Sequence, residues 1–403
     1  MTVSKILSEQ YIQPYKKEKK MAEIIEKGIN HSTPGWYLNA KGIKLFLTED
    51  AGMHAPVEFF TDTDKSVSPY ALTPWQDERP DLSFCPLLQN LRGDFFCMPF
   101  GGNPEGVDGF QYPPHGETAA SAWKLDKAVE EGEKAVFEFS MDTTINPFHI
   151  VKHFEMRSNH SALYIKHTVS GLDGKMPYGH HSIIHMPEEG EKMYLSTSKF
   201  DVGMTCPGVF SDPKNLEHQY LASGERFDSL EKVPTAFKAD PVHDYTTYPS
   251  PIGYADLFSM LSKPGKTPAW TACVYPERGY IFFMLRNPET LPATTIWTSN
   301  SGRYGFPWNG NTRCLGVEDN CSFFANGIKD STEENCLSKE GWTTCGTFSK
   351  AAPKEICHIQ GVARISADFG RVVSAEFADG KVIFKDAAGK TASANVDISF
   401  LGY

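Results

Sequence analysis

Three histidines, His180, His181 and His185, fall within six residues in the segment PYGHHSIIHMP, Pro177 to Pro187. Imidazoles bind metal ions, and with an unperturbed pKa near neutrality they also transfer protons. A helical reading puts His181 and His185 one turn apart, the spacing of a zinc pair. Such a pair usually carries an adjacent Glu and needs ligands that converge on one ion. No Glu is present here, and the β-branched centre Ser-Ile-Ile is bounded by Pro177-Tyr-Gly and Met-Pro187, which favours a strand. On a strand, His181, Ile183 and His185 share one face while His180, Ser182 and Ile184 share the other. His181 and His185 then stand about 13 Å apart, too far to bind one ion. No metal site is expected. Either the histidines decorate a strand, or one faces a pocket as an acid–base group.

Two further segments carry chemistry-bearing residues. Between Leu91 and Trp123 the chain is rich in Gly, Pro and aromatic residues, so little regular structure is expected. It offers Arg92, His115 before Gly116, and the rings of Phe100, Phe110, Tyr112 and Trp123. Aromatic faces with a few convergent polar groups suit sugar rings; a purely structural loop fits the same composition. Between Ile296 and Ile328, Glu318 follows the apolar Leu315-Gly-Val317 at an expected strand end, among Trp297, Trp308 and Phe323. A carboxylate so placed is either a desolvated base or a surface group in a turn.

In order and spacing these segments resemble the aldose 1-epimerase (galactose mutarotase) superfamily, nearest its hexose-6-phosphate mutarotase-like branch. The resemblance rests on Arg92-Gly-Asp-Phe-Phe-Cys-Met-Pro-Phe-Gly-Gly102, His115-Gly116 with Trp123, Gly179-His-His-Ser-Ile-Ile184 and Val317-Glu318-Asp319. It covers roughly residues 35–330. It implies a galactose mutarotase-like β-supersandwich and a cofactor-free sugar mutarotase. Glu318 matches the general base that takes the anomeric proton, and His181 the general acid toward the ring oxygen. His180 is the alternative to His181 if the register slips by one. His115, Arg92, Trp123 and Asp256 are implied as substrate-binding residues, with Asp244 a second candidate for the sugar-contacting carboxylate.

Two departures stand out. Glu117-Thr-Ala-Ala-Ser follows His115-Gly116 where the family commonly has an apolar residue, Ala and Arg, which puts a phosphorylated substrate in doubt. Asp319 stands where the family has Pro. A non-catalytic carbohydrate-binding or sugar-sensing protein on the same fold is the alternative function. A glycoside hydrolase needs a second carboxylate facing the first, and none is evident beside Glu318.

The elements that must position these groups read as strands. Runs such as KLFLTE, VFEFSM, ALYIKHTVS, TACVYP and GYIFFML are separated by Gly, Pro, Asn and Asp turns, and aromatics make up 12% of the 403 residues. That texture predicts an all-β sandwich, and no repeat of fixed period points to a propeller or solenoid. KKEKKMAEIIEKG, with Met21, Ile24 and Ile25, predicts a short N-terminal helix closed by Gly28. The expected division is a helical extension over 1–30, a sugar-binding sandwich over 31–350 and a small β module over 351–403. The module is expected to begin with EICHIQGVARISADFG.

The net charge of −11 argues against nucleic acid or an anionic membrane as partner. The chain has no apolar signal-peptide core and no run of about 20 apolar residues. Nine cysteines without a Cys-x-x-Cys pair point the same way, to a cytoplasmic protein. Cys314/Cys321 and Cys336/Cys345 remain as pairs that an oxidising compartment would allow. The expected partner is a small sugar, bound by a monomer or homodimer.

Overall fold

The computed structural model describes residues 24–78 and 80–403. Short strands build an eleven-stranded and a nine-stranded antiparallel sheet, with a three-stranded sheet near the C-terminus. The two large sheets enclose the main core, where Leu45, Phe137, Phe154, Phe258, Phe282, Val317 and Val362 are fully buried. Alternating side chains explain this layering, because every second residue of a strand faces the opposing sheet. The fold is all-β, as the strand pattern predicts.

Five neighbouring strands of the eleven-stranded sheet matter for function. In spatial order they are Asp94–Cys97, Tyr178–His185, Arg313–Cys321, Ala293–Asn300 and Tyr254–Leu261. Most of their residues are buried on both faces, because the other side of this sheet is covered by loops and the short helix Pro86–Asn90. The four-residue strand Asp94–Cys97 lies inside the Gly- and Pro-rich segment that was expected to be irregular. Its central pairing with Tyr178–His185 outweighs the loop-like composition around it.

Two other expectations need correction. Ile25–Asn30 is a strand paired with Thr33–Ala40, so the end of the predicted helix is extended. Gly28 sits opposite Gly35 there, and a Cβ on Gly28 would come 2.8 Å from the Tyr37 ring. Cross-strand pairing overrides a weak helical period; Met21 and the rest of the predicted helix lie outside the described residues. At the other end, EICHIQGVAR forms the strand Lys354–Arg364 inside the nine-stranded sheet, between Tyr280–Arg286 and Ala162–Ser170. Only Val372–Ala378, Lys381–Asp386 and Thr391–Asn395 form the separate sheet, which packs Val382 and Phe384 against Trp270 and Phe283. All nine cysteines are free, Cys314, Cys321, Cys336 and Cys345 included. Among the described residues no helix is long and apolar enough to cross a membrane.

Candidate active site

The register between Tyr178–His185 and Arg313–Cys321 sets the site. Gly179 pairs with Asn320 and Ser182 with Val317, which places His181 directly across from Glu318. Both side chains leave the sheet on the face away from the inter-sheet core. His181 Nε2 lies 3.1 Å from Glu318 Oε1, and both groups are almost fully buried. The strand runs three residues beyond Glu318 to Cys321, so the carboxylate is not at a strand end as expected. Gly316, two residues before it on the same face, leaves the space it needs. A Cβ there would lie 2.7 Å from Glu318 Oε1 and 3.0 Å from Trp297.

Neighbouring rings fix the imidazole. Phe95 stacks on His181 at 4.6 Å between centroids, and His115 meets it edge-on at 5.0 Å. The pair opens onto a cavity of about 340 Å³, within the range of small-molecule sites. Arg303 also lines it, with its guanidinium 4.9 Å from the Trp308 ring and 5.3 Å from the Trp297 ring. Arg303 Nε is 3.3 Å from Glu217 Oε1 but has no hydrogen-bond partner.

Burial governs the titration of this cluster. It pushes the Glu318 carboxyl up to about 8, against the opposing pull of Arg303. It lowers His181 well below the usual imidazole range, helped by His115. His115 falls to about 4 through burial and then Arg303. Near neutrality, therefore, both imidazoles are neutral and Glu318 holds a proton. Glu318 Oε2, His181 Nδ1, His115 Nδ1 and Trp297 Nε1 are buried without a hydrogen-bond partner in the protein. Buried polar atoms are rarely left so, and these four surround one cavity.

The remaining expected site residues lie elsewhere. His180 faces the inter-sheet core, with Nδ1 2.8 Å from Asp94 Oδ2 and its ring stacked on His358 at 4.4 Å. Strand alternation separates it from His181, so the slipped register does not occur. Arg92 is fully buried and donates to Asn30 Oδ1 at 3.0 Å, to Thr33 Oγ1 at 2.7 Å and to Gln76 Oε1. It ties the N-terminal hairpin to the segment around Gln76, while its neighbour Leu91 lines the cavity. Trp123 donates its indole N–H to Thr118 O at 3.1 Å and does not line the cavity. The Asp256 carboxylate accepts from the Tyr220 and Leu221 amides at 2.8 and 2.9 Å; Leu257 beside it faces the cavity. Asp244 caps its own turn, accepting from the Thr246 amide and hydroxyl. Asp319 pairs with His358 Nε2 at 2.8 Å in the inter-sheet core. His185 is half-buried at the strand end, where its carbonyl accepts from Tyr275.

Arg303 was not singled out from the sequence. It stands in the Gly-Arg-Tyr-Gly turn between two sheet strands, a polar residue in a loop beside the expected Glu318. Among the described residues, no cluster of His, Cys, Asp and Glu converges as metal ligands would.

Solved structures share this architecture. A Klebsiella pneumoniae protein provisionally assigned as an aldose 1-epimerase superposes with a TM-score of 0.60 at 11% identity, over 85% of this chain and 84% of its own. A galactose mutarotase-like protein from Clostridium acetobutylicum gives 0.55 at 14% identity, over 85% and 98%. A galactose mutarotase related enzyme from Lactobacillus acidophilus gives 0.52 at 11% identity, over 82% and 98%. No family model and no curated protein matches the sequence. The chain therefore has the galactose mutarotase-like β-sandwich fold, and at these identities the likeness speaks to fold alone.

Proposed function

We propose that the protein interconverts the anomers of a free aldose without a cofactor, with Glu318 and His181 as the proton-transfer pair. The observation that carries this reading is the 3.1 Å contact of these two buried side chains in the lining of one cavity. Its likeness in fold to galactose mutarotase-like proteins supports it.

Opening a hemiacetal requires one oxygen to lose a proton while the ring oxygen gains one. The resting pair holds a single proton, on Glu318, with His181 neutral. Moving that proton to His181 gives carboxylate and imidazolium with no exchange of protons with solvent. The carboxylate then accepts the anomeric O–H proton, and the imidazolium gives its proton to the ring oxygen. The ring opens to the aldehyde and the pair is back in its resting form. After rotation about C1–C2 the same transfers run backwards and close the other anomer. Arg303 favours the charged form of Glu318, and His115 borders His181 where it can hydrogen-bond the sugar. Following the optical rotation of a freshly dissolved aldose, with and without the protein, tests the reading. Saturable sugar binding without faster rotation change would favour a binding protein instead.

A further inference from the structure

The composition of the cavity wall bears on which aldose enters. The side chains best able to hydrogen-bond a hydroxyl are His115, His181 and Glu318, with the Arg303 guanidinium and the indole N–H groups as donors only. Glu318 and His181 are committed to the reacting oxygens in the reading above. Leu87, Leu88, Leu91, Phe95, Phe210 and Leu257 make up the larger part of the remaining wall, which Cys85, Gly102, Pro114 and Ala325 complete. Leu257 is on a central strand, and the one carboxylate next to it, Asp256, is turned away onto backbone amides. Leu87, Leu88 and Leu91 come from the short helix Pro86–Asn90 and the residue after it, so the side chains this segment turns toward the cavity are leucines, with Cys85 before them.

A sugar bearing a hydroxyl at every carbon would press several of them against leucine and phenylalanine. Each hydroxyl buried without a partner loses its hydration with nothing in return. We infer that the substrate is an aldose with hydrogen, methyl, O-alkyl or O-acyl in place of at least one ring or exocyclic hydroxyl, and that Leu88 and its neighbours receive that apolar group. This rests on the anomer-interconverting reading of the same site. Hydrophobic pockets disfavour an added hydroxyl by roughly a hundredfold at most, which sets the scale of the effect.

The experiment compares matched sugars with the intact protein: D-fucose with D-galactose, L-rhamnose with L-mannose, and 2-deoxy- and 3-O-methyl-D-glucose with D-glucose. Anomer exchange is followed by polarimetry and corrected for each sugar's spontaneous rate. The expected result is that kcat/KM for the less hydroxylated member exceeds that of its parent by about tenfold or more in at least one pair. In the variant Leu88→Asn, with folding checked by thermal melting, that ratio falls toward one; an unchanged ratio would overturn the role given to this wall. Ratios below tenfold in every pair overturn the inference while leaving the anomer-interconverting reading intact. No acceleration with any sugar overturns both.

Discussion

His181 and Glu318 face each other across two hydrogen-bonded strands, 3.1 Å apart and shielded from solvent. Their proximity makes them one acid–base unit: a proton lost by one is within reach of the other. The unit works only while it carries one proton in total, and that condition sets its behaviour with pH.

With Glu318 raised to about 8 and His181 held well below the usual range, the singly protonated pair persists from mildly acidic pH to about 8. We predict a kcat/KM profile flat through neutrality, with an alkaline limb near pH 8 as the shared proton leaves. A pH-rate series with a single aldose checks this. A limb near pH 4.5, with activity rising above it, would mean that Glu318 titrates as an ordinary carboxylate.

Arg303 draws the Glu318 value down by its charge. Arg303→Met is therefore expected to move the alkaline limb to higher pH, and to raise KM if the guanidinium also holds the sugar. The same pH series on the variant reads both effects, and an unmoved limb would remove Arg303 from the electrostatics of the pair.

The raised carboxyl also affects stability. Unfolded, Glu318 ionises near 4.5; folded, near 8. Its contribution is fully present below 4.5 and is lost as pH rises through 8, because the unfolded state releases the proton first. The difference in melting temperature, wild type minus Glu318→Gln, should fall steadily between pH 5 and 8. Thermal melts of both proteins across that range measure it.

Gly316→Ala should impair catalysis with little unfolding. The new Cβ meets Glu318 Oε1 and Trp297, and a displacement of about 1 Å costs on the order of a hundredfold in rate. Melting temperature and kcat measured together distinguish a displaced carboxylate from a collapsed sheet.

Arg92→Met should do the reverse. It leaves Asn30, Thr33 and Gln76 without the guanidinium they accept from, a loss of about 3 kcal/mol. Denaturant unfolding should register that loss, while KM for the surviving folded protein stays near the wild-type value.

The contrast between Arg92, expected at the cavity, and Arg303, which lines it, shows where reading by sequence stops. Period-two alternation assigned the sheet fold and put His181 and His180 on opposite faces, but both faces are buried at Ile183 and Ile184, so the choice of His181 came from the resemblance. The partnership of His181 and Glu318 came from resemblance, since a strand pairing between residues so distant in sequence leaves no local trace. Arg92 was placed by its motif, Asp256 without support from spacing, and each stands one position from a residue that lines the cavity, whereas Trp123 has no such neighbour. Matching a motif places a residue to within one position, and one position on extended backbone turns a side chain to the opposite side. Thus Leu91 and Leu257 line the cavity where Arg92 and Asp256 were expected. Ile25–Asn30 and Lys354–Arg364 were misjudged because their states are set by partner strands.

Anomer exchange measured on wild type, Glu318→Gln, His181→Ala and the double variant tests the central claim most directly. The prediction is clear acceleration by wild type and a loss of roughly a hundredfold to ten-thousandfold in each single variant. The double variant should be hardly worse than either, since the two groups act as a unit. Folded single variants that retain wild-type rates would contradict the account.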